Sequence, residues 1–247
     1  MRVAILSDVH ANLEALEVVL EDVGRRECDQ IVCLGDFVGY GPNPNECVEV
    51  LRPLVEGRSV AGNHDWAAIG RLEITFFNAF AQEAIRWTQQ ALRPGAVEFL
   101  SALPVEWSHQ GELPFLAVHG SPRDPIEEYV LDAATAVENF GHRSFALCFH
   151  GHSHVPAVFI EADGEVAARP LAAEEPLRLE ASSRYLINVG SVGQPRDGDP
   201  RAAYAVLDVE ERAVTLIRLP YLVSRTQDKM VGEGLPEMLV ERLSVGR

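Results

Sequence analysis

The sequence predicts a mixed α/β or α+β fold that collects its functional groups at one edge of a sheet. Three observations predict it. In the first 65 residues, short apolar runs alternate with segments of helical period. Each apolar run there stops at a short polar motif, Asp8-Val9-His10, Gly35-Asp36 or Gly62-Asn63-His64-Asp65. From Phe115 onward strand-like runs return, two pairs of them with hairpin spacing. The 247 residues, 47% hydrophobic, suffice for one sizeable core. The expectation is a single domain over 1–247, with a helical tail at 221–247 docking on it.

Arg2-Val3-Ala4-Ile5-Leu6 reads as a buried strand. Asn12 is placed to cap a helix whose apolar positions are Leu13, Leu16, Leu20 and Val23. Gln30 to Leu34 is a second buried strand. Asn43-Pro44-Asn45-Glu46 carries a cap residue, Pro at the first helical position and Glu at the third, so a helix begins there. Arg58 to Ala61 reads as a third short strand. Such alternation implies parallel strands with right-handed crossovers, and ligands then sit beyond the strands' carboxyl ends. Thr75 to Leu103 reads as helical, with Phe77, Phe80, Ala84 and Trp87 forming a core-facing stripe and Pro94 and Pro104 as breaks. Strands follow at Phe115–Val118, Phe145–Phe149 and Tyr185–Asn188. Asp163-Gly164 turns one hairpin, and 203–209 with 213–219 forms another. In the tail, Leu235, Met238, Leu239 and Leu243 recur at helical spacing.

Composition removes several function classes. The formal charge is −16, from 21 basic and 37 acidic residues. Duplex nucleic acid is bound by displacing counterions with Lys and Arg, so non-specific nucleic-acid binding is disfavoured. A small phosphorylated substrate stays open, because bound metal ions can reverse the local field. No apolar stretch approaches the roughly 18 residues that span a bilayer. Met1 to Leu6 turns directly into a strand without a basic leader, so the expected location is the cytoplasm. Cys28, Cys33, Cys47 and Cys148 lie in or beside apolar runs without C-x-x-C spacing, which predicts reduced, mostly buried thiols. Homo-oligomerisation is left open.

The polar motifs carry the chemistry. Asp8 and His10 stand at i and i+2 after a strand, a spacing that lets both reach one ion. Asp36 follows the second strand and, having two oxygens, is the candidate bridge between two ions. Asn63 offers a neutral amide oxygen. His64 should point elsewhere, and Asp65 is placed to accept its ring N–H, or else to cap the next helix. His119 follows a strand, as do His152 and His154, again at i and i+2. Carboxylate, imidazole and amide groups in this number suit two neighbouring divalent ions. His109, His142 and His150 lie outside the pattern.

This motif set resembles the calcineurin-like metallophosphoesterase superfamily. It is most similar to its small bacterial and archaeal cytoplasmic phosphoesterases with Ser-Asp-x-His, Gly-Asp-x-x-Gly-Tyr-Gly and Gly-Asn-His-Asp. Here these are Ser7–His10, Gly35–Gly41 and Gly62–Asp65, and the likeness extends over nearly the whole chain. It implies a four-layer α-β-β-α sandwich, two packed mixed β-sheets flanked by helices. It also implies that Asp8, His10 and His154 hold one ion, that Asn63, His119 and His152 hold a second, and that Asp36 bridges them. His64, with Asp65 beside it, would be catalytic rather than a ligand, stabilising the phosphoryl transition state or protonating the leaving oxygen. The implied activity is hydrolysis of phosphodiesters or phosphomonoesters of small molecules by a metal-bridging hydroxide. Oxygen and nitrogen ligands without thiolate fit two Mn, Fe, Co, Ni or Zn ions, with Mn favoured, over Ca or Mg.

Substrate choice falls to loops. Tyr40, Arg123 and Arg196 are the candidate substrate-binding residues, the arginines as bidentate phosphate clamps. Each arginine also has an adjacent acid, Asp124 or Asp197, that could occupy it instead. The Gly190–Gly193 loop offers amides to an anion or serves as a buttress for the histidines. Two competing expectations are a non-catalytic protein-binding scaffold and a nuclease of the same superfamily; the intact motifs weigh against the first and the acidic charge against the second.

Overall fold

The computed structural model describes residues 1–247. The chain opens with β1 (Arg2–Leu6), α1 (Leu13–Arg25), β2 (Gln30–Cys33) and α2 (Pro44–Val55). β1 and β2 pair in parallel, Ala4 opposite Ile31 and Leu6 opposite Cys33. Asn12 caps α1 by accepting the Ala15 N–H. Pro44 does start α2, but Asn43 does not cap it, because its Oδ1 accepts a proton from Lys229 Nζ at 2.9 Å.

The third strand expected at 58–61 reduces to one parallel bridge, Cys33 to Ser59. Val60 N–H still bonds the Cys33 carbonyl, but Ala61 N–H turns away to Pro104. The departure brings Gly62 against Asp36, so closely that a Cβ at Gly62 would overlap Asp36 Oδ1. Asn63 therefore opens a helix, α3 (Asn63–Ala68). A 3₁₀ turn at Ile74–Phe76 leads to α4 (Ala79–Ala91) and α5 (Pro94–Ala102), separated where Pro94 cannot continue the preceding helix. In the expected stripe, Ala84 is buried and Phe77 and Trp87 partly so. Phe80 is 44% exposed, a correction to the helical pattern.

The second half supplies β3 (Glu106–His109), β4 (Phe115–Val118), α6 (Ala133–His142), β5 (Leu147–His150), β6 (Ala157–Ala162) and β7 (Glu165–Pro170). Then come β8 (Leu177–Arg178), β9 (Arg184–Asn188), β10 (Ala202–Asp208), β11 (Ala213–Leu219), α7 (Val223–Gly232) and α8 (Glu237–Arg242). Asp163 and Gly164 both have positive φ, at 51° and 81°, as a two-residue turn between β6 and β7 requires.

Two mixed sheets result, ordered β2-β1-β10-β11-β8 and β3-β4-β5-β9-β6-β7. In β1, Val3 and Ile5 face the other sheet and meet Phe115, Ala117, Phe149 and Ile187. Ala4 and Leu6 face the opposite way, against Leu16, Val19, Val48 and Leu51 of α1 and α2. The second sheet repeats this alternation: Leu116 and Val118 point outward onto Ala136 and Phe140 of α6. Helix, sheet, sheet and helix thus form four layers, and the central strands β1, β4, β5 and β10 are buried on both faces. No helix is long and apolar enough to cross a membrane, and all four cysteines are free thiols.

The tail forms two helices rather than the single amphipathic one read from Leu235–Leu243. Leu235, Leu239 and Leu243 pack with Met230 against Tyr40, Ala81 and Ala84, while Met238 is exposed. Buried Glu14 on α1 pairs with Lys229 at 2.6 Å and Arg225 at 3.2 Å on α7. Leu239→Ala should cost about 2–5 kcal/mol, the usual range for emptying a buried leucine site. Denaturant unfolding checks this; a loss under about 1 kcal/mol would mean the tail rests on the surface without supporting it.

Candidate metal centre and substrate cavity

Loops leaving β1, β2, β4 and β5 meet at the adjoining edges of the two sheets, and α3 begins beside them. Asp8 and His10 follow β1, Asp36 follows β2, His119 follows β4, and His152 and His154 follow β5. The first two loops extend the strand pairing, with Asp8 N–H on Gly35 O and His10 N–H on Asp36 O at 3.1 and 2.9 Å. Gly151 N–H bonds the His119 carbonyl in the same way, joining the loops of the second sheet.

Asp8, His10, Asp36, His152 and His154 all have φ between 48° and 66°. This left-handed conformation is costly for residues with a Cβ, and such residues gather where surrounding structure overrides the preference. Here the conformation turns both members of each i, i+2 pair inward. Glycine is required beside them: a Cβ at Gly151 would overlap Ser7 Oγ and crowd Asp8 Oδ2.

Each carboxylate is held by one oxygen and bare at the other. Asp8 Oδ2 accepts the His152 N–H at 3.1 Å, and Asp36 Oδ1 accepts the His64 N–H at 2.9 Å. Asp8 Oδ1 and Asp36 Oδ2 are buried without a hydrogen-bond partner. Asp8 Oδ1 lies 3.2 Å from His154 Nε2. Asp36 Oδ2 lies 3.4 Å from His10 Nε2 and 3.5 Å from His119 Nε2, between two groups of ligands.

The imidazoles are oriented from behind. His10 Nδ1 donates to Val38 O at 3.1 Å, His119 Nδ1 to Leu34 O at 2.9 Å, His154 Nδ1 to Gln194 O at 2.6 Å and His152 Nε2 to Glu127 O at 3.1 Å. A carbonyl only accepts, so each of these nitrogens carries the ring proton. The opposite nitrogen of a neutral ring is then a lone pair aimed inward, the usual arrangement of metal-binding histidines. His10 Nε2 and His154 Nε2 face each other at 3.1 Å. His119 Nε2 faces His152 Nδ1 and Asn63 Oδ1, each at 3.1 Å. Acceptor against acceptor in a buried site is unfavourable unless a cation lies between them. The donor set therefore fits metal. The ligand atoms of Asp8, His10, Asp36 and His154 all lie within 4.8 Å of one another.

Ionisation agrees with this geometry. Burial pushes the pKa values of His10, His64, His119 and His152 down, and those of His150 and His154 to about 4. Burial acts to raise the Asp8 pKa, but His154, His119 and His10 carry it below the carboxylate range. Asp36 is pushed up by burial and by the neighbouring charges of Asp65 and Asp8, a demand for positive charge that Arg196 offsets only in part.

His64 stands apart from the ligands. Its ring is 4.3 Å from the Tyr40 ring and 5.1 Å from Phe77, centre to centre, and its Nδ1 has no partner. The expected pairing of that ring with Asp65 is not formed. Asp65 instead accepts main-chain N–H groups of Asp36, Gly62 and Val38 at 2.9, 3.0 and 3.2 Å. It fixes the loop that presents Asp36; burial raises its pKa to about 7.

A cavity of about 340 Å³ opens over Asn63, His64 and His152. Tyr40 and Arg196 line it, as does Tyr129, which stacks on His152 at 3.7 Å. Arg196 is not taken up by Asp197, which pairs with Arg218. Arg123 does not line the cavity; its guanidinium is bound between Glu128 and Glu138. The glycine loop acts as a buttress. Val192 and Gly193 N–H groups bond Ser7 O and Asp8 O at 3.0 and 2.9 Å. Asn188 spans Gly151 O and Ser153 Oγ behind the histidines. Sequence reading did not single out Tyr129 or Arg242 for the site. Tyr129 closes the loop from Ser121 that carries Arg123, whereas nothing in the sequence marks Arg242.

Known proteins share this architecture. Residues 1–212 match the model of the calcineurin-like phosphoesterase superfamily domain, and the chain belongs to that superfamily. It is similar to an uncharacterised protein of Methanocaldococcus jannaschii, at 41% identity over 99% of this chain and 98% of the relative. It is also similar to the crystal structure of a metallophosphoesterase from Sphaerobacter thermophilus, at 47% identity and TM-score 0.87, covering 100% of this chain and 99% of that one. The fold alone extends to a hypothetical protein from Pyrococcus horikoshii, at 20% identity and TM-score 0.78, with coverage of 100% and 98%. The two mixed sheets flanked by helices are those that the motif resemblance implied.

The buried imidazoles make the metal-free protein sensitive to acid. In the unfolded chain His150 and His154 take up protons near 6.5, but in the folded chain only near 4. Between those values the unfolded state binds more protons, so stability falls as pH falls. The other four buried histidines shift the same way, outnumbering Asp36 and Asp65, which shift oppositely. Chelator-treated protein should therefore melt at progressively lower temperature from pH 7 to pH 4.5. An unchanged or rising Tm would contradict neutral buried rings.

Proposed function

We propose that this protein is a dinuclear metal-dependent hydrolase of small phosphate esters, diester or monoester. One observation carries the reading: Asp36 Oδ2, unpartnered and buried, stands between two groups of inward lone pairs. Asp8, His10 and His154 would hold one divalent ion, Asn63, His119 and His152 the other, and Asp36 both. Manganese is the favoured metal, among Mn, Fe, Co, Ni and Zn, on the oxygen and nitrogen donor set. When bound, the pair supplies Lewis acidity for a water nucleophile and for phosphoryl oxygens.

The remaining work falls to the chain's own groups. Asn63 and His152 form the floor of the cavity, so a phosphoryl group entering there meets the ligand cluster directly. His64 lines the same cavity outside the proposed ligand set, and its ring is placed to donate a hydrogen bond to a phosphoryl or leaving-group oxygen as charge develops there. Tyr40 packs against both His10 and His64, at 4.7 and 4.3 Å, and sets the angle of the His64 ring. Arg196 lies over the Tyr40 ring with Nη2 at 3.4 Å from its hydroxyl, where it would attract the anionic ester. A cavity of this size suits a small molecule, and the acidic net charge disfavours nucleic acid.

Two substitutions separate ligand from catalyst. Asp36→Asn should lower bound manganese and esterase activity together. His64→Ala should keep the wild-type manganese content and lower kcat by about 10²–10³-fold, the span of a lost transition-state hydrogen-bond donor. Metal analysis and assays on p-nitrophenyl phosphate and bis(p-nitrophenyl) phosphate check both. Loss of metal from His64→Ala would contradict its separate role.

A further inference from the structure

The cavity contains a second guanidinium besides Arg196. Arg242, the last residue of α8, lines it together with Arg196, Tyr40 and His64. It lies beyond residues 1–212, the span that matches the superfamily domain, and is brought there by the buried contacts of Leu239 and Leu243 with Tyr40 and Ala81. Neither arginine is paired with an Asp or Glu side chain, although the chain has 37 of them. Arg196 uses Nη2 on the neutral oxygens of Gln194 and Tyr40, and its Nε is buried without a partner. Arg242 donates from Nε to a carboxyl oxygen of Arg247, the last residue of the sequence, and neither of its Nη groups is paired with a protein acceptor.

Two like charges facing one cavity repel each other unless an anion joins them. Burial and the neighbouring Arg196 charge lower the pKa of Arg242, in keeping with an unmet positive pair. Arg242 makes no hydrogen bond or ion pair with any of the seven candidate ligand residues, whereas the Arg196 N–H bonds the His154 carbonyl at 3.3 Å. An anion on the Arg242 guanidinium would therefore be held by a group outside the set proposed to meet the phosphoryl group over Asn63 and His152.

We propose that Arg242 and Arg196 together bind a second phosphate group, so that the preferred substrate is a phosphate ester bearing another phosphate besides the one cleaved. This rests on the hydrolase reading above and assigns a specificity residue to that site. Guanidiniums suit the task because their planar forks pair bidentately with phosphate oxygens.

The test has two arms, each on the full chain. In the first, the metal-free protein is titrated calorimetrically with inorganic phosphate. Arg242→Gln should weaken binding about tenfold and Arg242→Lys much less, with both variants melting near the wild type. In the second, the manganese-loaded protein is assayed on a nucleoside 3′,5′-bisphosphate and on the matching 5′-monophosphate. Arg242→Gln should lower kcat/KM at least tenfold more for the bisphosphate, through KM. Unchanged phosphate affinity, or an equal loss on both substrates, overturns the proposal. If Arg242-dependent binding is found but the loaded wild type cleaves no ester, the anion clamp stands and the hydrolase reading fails.

Discussion

Asp36 Oδ2 is shut away from water, offered no proton donor, and surrounded by lone pairs of His10 and His119 within 3.5 Å. An ionised carboxylate so placed costs several kcal/mol unless positive charge joins it. The rest of the structure makes that arrangement hold. The two sheets must pack face to face, because β1 and β2 deliver Asp8, His10 and Asp36 while β4 and β5 deliver His119, His152 and His154. The sheet–sheet core of Val3, Ile5, Phe115, Phe149 and Ile187 is thus what sets the two halves of the ligand set against each other.

Local geometry is fixed more tightly than packing alone requires. Five of the proposed ligand residues occupy left-handed backbone conformations, each at a cost of order 1–3 kcal/mol. Main-chain hydrogen bonds between the loops, the Asp65 carboxylate gripping three amides, and Asn188 bridging Gly151 and Ser153 all oppose relaxation. Every inward nitrogen is paired with an outward N–H on a carbonyl. Removing a cation would leave repulsive contacts that the loops cannot easily relieve, and a bound cation would satisfy them at little reorganisation cost.

Much of this was legible in the sequence because the information is local. A strand that stops at Asp8-Val9-His10 or at Gly35-Asp36 places its donors at a sheet edge wherever it packs, and apolar runs identify the strands. What was not legible depends on distant partners. Asp65 looked like a partner for His64, yet three amides nearby claim both of its oxygens. Arg123 and Arg196 looked alike. The first is captured by Glu128 and by Glu138 on α6, while the second is left free because Arg218 from β11 takes Asp197. The strand expected at 58–61 gave way to the close approach of Gly62 to Asp36. Phe80 kept helical spacing but met no neighbour to cover it. Arg242 reaches the cavity only through tail packing that no motif marks.

The central claim is the proposal that Asp36 would help hold two cations, one with His10 and His154 and one with His119 and His152. Crystals grown with manganese, measured for anomalous scattering, test it most directly. The account predicts two peaks per chain, one on each side of Asp36, each touching its own imidazole pair. A single peak, or ions bound elsewhere with these rings still facing each other at 3.1 Å, would contradict it.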